Sequence, residues 1–235
     1  MSRSGPLALA TAFALTLALA GCSQRLAILE DTPAPTPSPR PAIPTPISAN
    51  GALDEVPTSC WGLGPEDCLR VVKEVAPKLQ RIDPPVTYIQ VGAFGCDTGE
   101  RCPRTLAARS QGDVIFEVAG GVIGFHVTAN DGGEKLAIDR QDALWVQVRP
   151  TSSAPLFAGA QPFALGHCGL WSGIDLGGAW WHPVGVIDAD HPDSINAAQG
   201  TITVHDPDHA TFVSRGGLTV QVLRAPGPVS LPPCM

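Results

Sequence analysis

The sequence predicts an α+β domain, mostly β, with antiparallel sheets in a sandwich-like arrangement, one N-terminal helix and disulfide staples. Three observations predict it. Seven short runs between Val86 and Leu223 are β-branched or alternate apolar with polar residues. One segment, Pro65 to about Ala76, carries helical signals. Six cysteines follow Cys22, an even set of the kind that a disulfide framework uses.

The helix starts at Pro65, whose fixed φ suits a first helical position, and Glu66 and Asp67 sit where the helix dipole favours negative charge. Leu69, Val72 and Ala76 are expected to share its buried face. Pro77 cannot donate back to residue 73, so the helix ends or kinks there. The strands are Val86–Val91, Val114–Val118, Val122–Val127, Leu144–Val148, Thr201–Val204, Thr211–Val213 and Leu218–Leu223. Asn130-Asp131-Gly132-Gly133 supplies positive-φ positions for one turn, and Asp206-Pro207-Asp208 makes another. In the fourth run Leu144, Val146 and Val148 point one way, Trp145, Gln147 and Arg149 the other.

Local spacing favours the bridges Cys60–Cys68 and Cys96–Cys102, which leaves Cys168–Cys234 to hold the C-terminal tail, although six cysteines admit about 15 pairings. Residues 53–150 form an N-terminal αβ half and 151–235 a C-terminal β half, expected to pack as one unit. The glycine-rich, weakly periodic stretch 150–182 is the expected boundary.

The chain opens with Arg3, an apolar run from Pro6, and Leu19-Ala20-Gly21-Cys22. That order is a secretory signal over residues 1–21, too short in its apolar core for a transmembrane helix. Its ending resembles the lipobox of bacterial lipoproteins, a resemblance confined to the first 22 residues. It implies lipidation of Cys22 and a membrane partner reached through acyl chains. The expected location is the outer face of the cytoplasmic membrane, or the outer membrane if the host has one. Residues 22–52 then act as a tether. Pro33, Pro35, Pro37, Pro39, Pro41, Pro44 and Pro46 favour polyproline II, and residues 33–46 would span about 40 Å. After cleavage, 14 Lys plus Arg against 22 Asp plus Glu leave a charge of −8, which argues against nucleic-acid partners.

Four clusters could carry chemistry. Asp188, Asp190 and His191, with His182 upstream, could bring oxygens and imidazoles to a divalent metal, calcium or zinc. Solvated turn residues explain the same segment. His205-Asp206-Pro207-Asp208-His209 reads as a hairpin turn with its imidazoles apart. Trp171, Trp180 and Trp181 offer a flat platform for a sugar ring or a partner's apolar patch, or else fill the core. Gly166-His167-Cys168-Gly169 superficially resembles the Ser-His-Gly-Cys motif of peptidoglycan transpeptidases, but no glycine separates His from Cys. Using Cys168 as a nucleophile would also leave an odd cysteine in an oxidising compartment. Cys96–Cys102 encloses a small charged loop.

No hydrolase, phosphate-loop or dinucleotide motif appears. The expected function is therefore a membrane-anchored envelope lipoprotein whose β-rich domain binds an envelope protein or glycan or plays a structural part, without catalysis. The alternative is a metal-dependent envelope hydrolase using His182, Asp188, Asp190 and His191.

Overall fold

The computed structural model describes residues 53–80, 83–92, 102–141, 147–152 and 156–231. Cys22, Cys96, Cys234, the signal and tether segments and residues 144–146 lie outside this set.

The chain runs β1 (Thr58–Trp61), α1 (Pro65–Val75), β2 (Val86–Gly92), β3 (Gln111–Val118), β4 (Gly121–Asn130), β5 (Lys135–Gln141), β6 (Gln147–Arg149) and β7 (Gly159–Ala164). It continues through β8 (Ile174–Leu176), β9 (Ala179–Ile187), α2 (Pro192–Ile195), β10 (Gln199–Val204), β11 (His209–Ser214), β12 (Thr219–Arg224) and β13 (Val229–Leu231). The fold is mostly β with one substantial helix. One large sheet has the order β5-β4-β3-β2-β1-β9-β12-β11-β10-β7, with β8 on β9, and β6 pairs with β13 in a second, two-stranded sheet.

The large sheet is mixed. Neighbours are antiparallel except at β1, which runs parallel to both β2 and β9. Turn signals could not reveal these two ladders, because a parallel partner comes from far along the chain. β1 is also where the core divides. Cys60 joins the cluster of Val71, Val75, Ile89, Phe116 and Phe125, whereas Trp61 joins Leu170, Trp181, Ile202 and Phe212. Adjacent residues of a strand face opposite ways, so the two clusters lie on opposite faces of the sheet at β1.

α1 begins at Pro65 and passes at Ala76 into a short 3-10 turn containing Pro77, as the missing proline N–H requires. Its buried face is Cys68, Val71, Val72 and Val75, one step away from the expected stripe. Leu69 is 45% exposed. Cys68 is bonded to Cys60, 5.9 Å apart at Cα, and this sets the rotation of the first turn. Gly62, between β1 and α1, has φ +78°, and a Cβ there would meet Arg109 Nη1 at 2.6 Å. Cys102 and Cys168 are also disulfide-bonded.

The turn after β4 has Asp131, Gly132 and Gly133 at positive φ, as expected. Residues 159–187 contain three strands that the sequence pattern hid. β7 lacks β-branched residues and carries Pro162 on an edge of the sheet. Gly177 and Gly178, at φ +63° and +80°, form the tight turn between β8 and β9. In β6, Val148 is 52% exposed.

Candidate functional site

The structure does not bring the four expected metal ligands together. Asp188 and Asp190 follow β9, and each meets an arginine: Asp188 Oδ2 lies 3.0 Å from Arg104, and Asp190 Oδ2 lies 2.7 Å from Arg109. Arg109 is itself buried, its side chain 3% exposed, and donates from Nε to the carbonyl of Pro103. These pairs fasten the 102–110 loop to the end of β9. His191 Nδ1 accepts from the backbone N–H of Asp193, capping α2, while Asp193 accepts from Ser214 Oγ and from the N–H of Gly216. His182 sits six residues before Asp188 on an extended strand, about 20 Å away along it. Among the described residues, no group of three or more His, Cys, Asp or Glu is placed to hold a metal ion.

The tryptophan platform is also taken up by the core. Trp181 is fully buried, Trp171 packs edge-on against Trp61 at 5.2 Å, and Trp180 packs on Ala225 and Val229. Adjacent tryptophans pointing opposite ways serve two separate clusters. His167 and Cys168 offer no thiolate, because Cys168 is in a disulfide. In the 205–209 turn, His209 Nδ1 lies 2.8 Å from Asp206 Oδ1, whereas His205 Nε2 reaches Thr211 Oγ1 at 2.7 Å. Burial alone would raise the Asp206 carboxyl. The N–H of Asp208, the imidazole of His209 and the N–H of His209 outweigh it and hold the carboxyl below its ordinary value.

A different group of polar residues is gathered inside the sheet. Ser59 of β1, Tyr88 and Gln90 of β2, Glu117 of β3 and His182 of β9 are all buried. Tyr88 and Glu117 are register partners, so they share a face. The rings of Tyr88 and His182 stack at 4.1 Å with 11° between planes. His182 Nε2 lies 3.2 Å from Glu117 Oε2, both side chains 7% exposed. The carboxylate is nonetheless off the imidazole N–H line, so Nε2 has ion-pair proximity without a hydrogen bond among the described residues.

Tyr88 Oη is 2.7 Å from both Ser59 Oγ and the Pro183 carbonyl, and Trp61 Nε1 donates to Ser59 Oγ at 3.0 Å. The carbonyl can only accept, so the Tyr88 proton goes there and Ser59 donates to Tyr88 Oη. Trp61, Ser59, Tyr88 and Pro183 then form one directed chain across β1, β2 and β9. Burial pushes the Tyr88 hydroxyl far above its ordinary value, with Ser59 offsetting part of this and Glu117 adding to it. Tyr88 is thus a neutral donor. Only His182 of this group was singled out in the sequence. Glu117 alternates with inward Phe116 and Val118, the pattern of a solvent-facing position, and the chain's single tyrosine was the only other hint.

The outer face of the C-terminal strands has a third character. Ile202, Val204, Phe212, Val220 and Val222 point inward. Their alternates Thr201, Thr203, Thr211, Val213, Thr219 and Gln221 point outward, joined by Pro162 on β7 and Val184 on β9. None of these carries a charge, in a chain of net charge −7. Thr211 donates to Gln221 Oε1 at 3.0 Å across the strands. Arg215 lies at one end of the patch and the His205–His209 turn at the other.

No family model, no curated protein and no solved structure matches this chain.

Proposed function

We propose that the chain is an exported lipoprotein of the bacterial envelope, anchored through Cys22, stood off the membrane by its proline-rich tether, and presenting a non-catalytic binding domain. Disulfides at Cys60, Cys68, Cys102 and Cys168 support export, since they persist in an oxidising compartment.

The observation that carries the binding reading is the charge-free outer face of β7, β10, β11, β12 and β9. Five strands span about 19 Å and six residues about 20 Å, giving roughly 400 Å². A standard protein interface buries about 800 Å² per partner, so the patch suits a narrower occupant. A charged ligand would lose hydration there without gaining a counter-charge. Threonine hydroxyls, a glutamine amide and small aliphatic groups fit a neutral glycan strand.

The test is co-sedimentation of the purified chain with neutral cell-wall polysaccharide and with an anionic one. The reading expects retention on the neutral polymer, lost in a Thr203→Lys/Thr211→Lys variant of unchanged melting temperature. Retention that the lysines do not alter, or preference for the anionic polymer, contradicts it. Chemical cross-linking of an envelope protein through this face would replace the glycan with a protein partner.

A further inference from the structure

We propose that His182 and Glu117 form a one-proton latch that holds β9 against β2 and β3 where β1 begins. β1 pairs with β9 only over Ser59–Trp61 and Gly185–Ile187. Beyond that ladder, toward the start of β1, contacts across the gap among the described residues include the His182–Glu117 pair, the stack of His182 on Tyr88 and the bond from Tyr88 to the Pro183 carbonyl.

The pair is balanced when it holds a single proton. An imidazolium beside a carboxylate cancels charge, and so does a neutral imidazole beside a carboxylic acid. A second proton leaves a buried imidazolium with no counter-charge, and loss of the only proton leaves a buried carboxylate alone. Either uncompensated charge is costly at 7% exposure. The neighbours do not relieve it. Tyr88 stays neutral and its hydroxyl is spent on Ser59 and Pro183. Ser59 has no charge. On β12 the register partner of His182 is Leu223, and the next residue, Arg224, donates to the Ser152 carbonyl. On β8 the only charged group, Asp175, is exposed and accepts from the N–H of Gly178. Among the described residues, Nε2 of His182 makes no hydrogen bond that would hold the ring once attraction to Glu117 is gone.

A double-mutant cycle of His182→Gln and Glu117→Gln on the purified full chain tests this, with disulfides intact and urea unfolding followed from acid to alkaline pH. The expected coupling is about tenfold in the unfolding equilibrium at neutral pH, shrinking toward none at both ends of the series. Coupling that is absent at neutral pH, or constant across the series, overturns the latch. If either variant does not fold, hydrogen exchange of the wild-type chain decides. After correction for intrinsic exchange, protection over 179–187 must fall in acid while that over 121–130 holds. A uniform change across both segments overturns it.

Discussion

On one side of β1, strands β2–β5 bury valine, isoleucine and two phenylalanines beneath α1. On the other side, β9–β12 and β7 close over Trp61, Trp181, Phe212 and Ile202, with no helix longer than four residues among the described ones. The outer surfaces differ too. The N-terminal strands carry the partly exposed pair His126–Asp113, whereas the C-terminal strands show uncharged threonine, valine and glutamine. Covering a sheet with a helix leaves a 3.6-residue period in the sequence. Covering it with loops and large aromatic side chains leaves none, which is why the second half was harder to read. It is also the half that carries the charge-free strand face, and that makes it the better place to look for a ligand.

The largest expected effect breaks the comparison at its hinge. Trp61→Ala should cost about 3–5 kcal/mol, because the ring is 1% exposed and packs with the C-terminal core although it sits on β1. Native-state hydrogen exchange should show protection falling first in β9–β12. Val71→Ala, in α1, should instead loosen β2–β5. If both variants loosen the two regions alike, the cores are not separate.

A finer contrast lies between two buried indoles. Trp61 Nε1 donates to Ser59, whereas Trp181 Nε1 has no partner among the described residues. Replacing either by phenylalanine removes similar volume, but only Trp61→Phe also removes a hydrogen bond. Chemical denaturation should therefore find Trp61→Phe more costly than Trp181→Phe by about 0.5–1.5 kcal/mol. Equal losses would mean that the directed chain through Ser59 contributes nothing.

The smallest effect sharpens the charged half. Both oxygens of Asp83, 8% exposed, face the guanidinium of Arg140 at 3.2 Å. This hydrogen bond outweighs burial and, aided by the N–H of Gln80 and the charge of Arg140, holds the carboxyl below its ordinary value. A carboxyl depressed in the folded state stabilises the fold above its unfolded pKa and loses that contribution as pH falls through the folded one. Asp83→Asn should flatten the acid limb of a stability–pH profile, and an unchanged limb would remove the pair from the account.

Much of the fold was legible because the signals are local. Pro65, Pro77, Gly132-Gly133 and the β-branched runs each fix the conformation of their own neighbourhood. The parallel pairing of β1 was not legible, since the three residues Ser59–Trp61 show no period that distinguishes a pivot from a loop. The site was read less well, for a related reason. Asp188, Asp190 and His191 looked like ligands because their partners, Arg104, Arg109 and the β11–β12 turn, are remote in sequence. Glu117 looked solvent-facing because its partner His182 arrives on a strand from the other half.

Intact-mass and peptide mass spectrometry of membrane-extracted protein, alkylated without reduction, tests most directly whether the chain is secreted, fatty-acylated and oxidised. The expected product begins at an acylated Cys22 and takes up no alkyl group at Cys60, Cys68, Cys96, Cys102, Cys168 or Cys234. A chain still beginning at Met1 with alkylated thiols would contradict it.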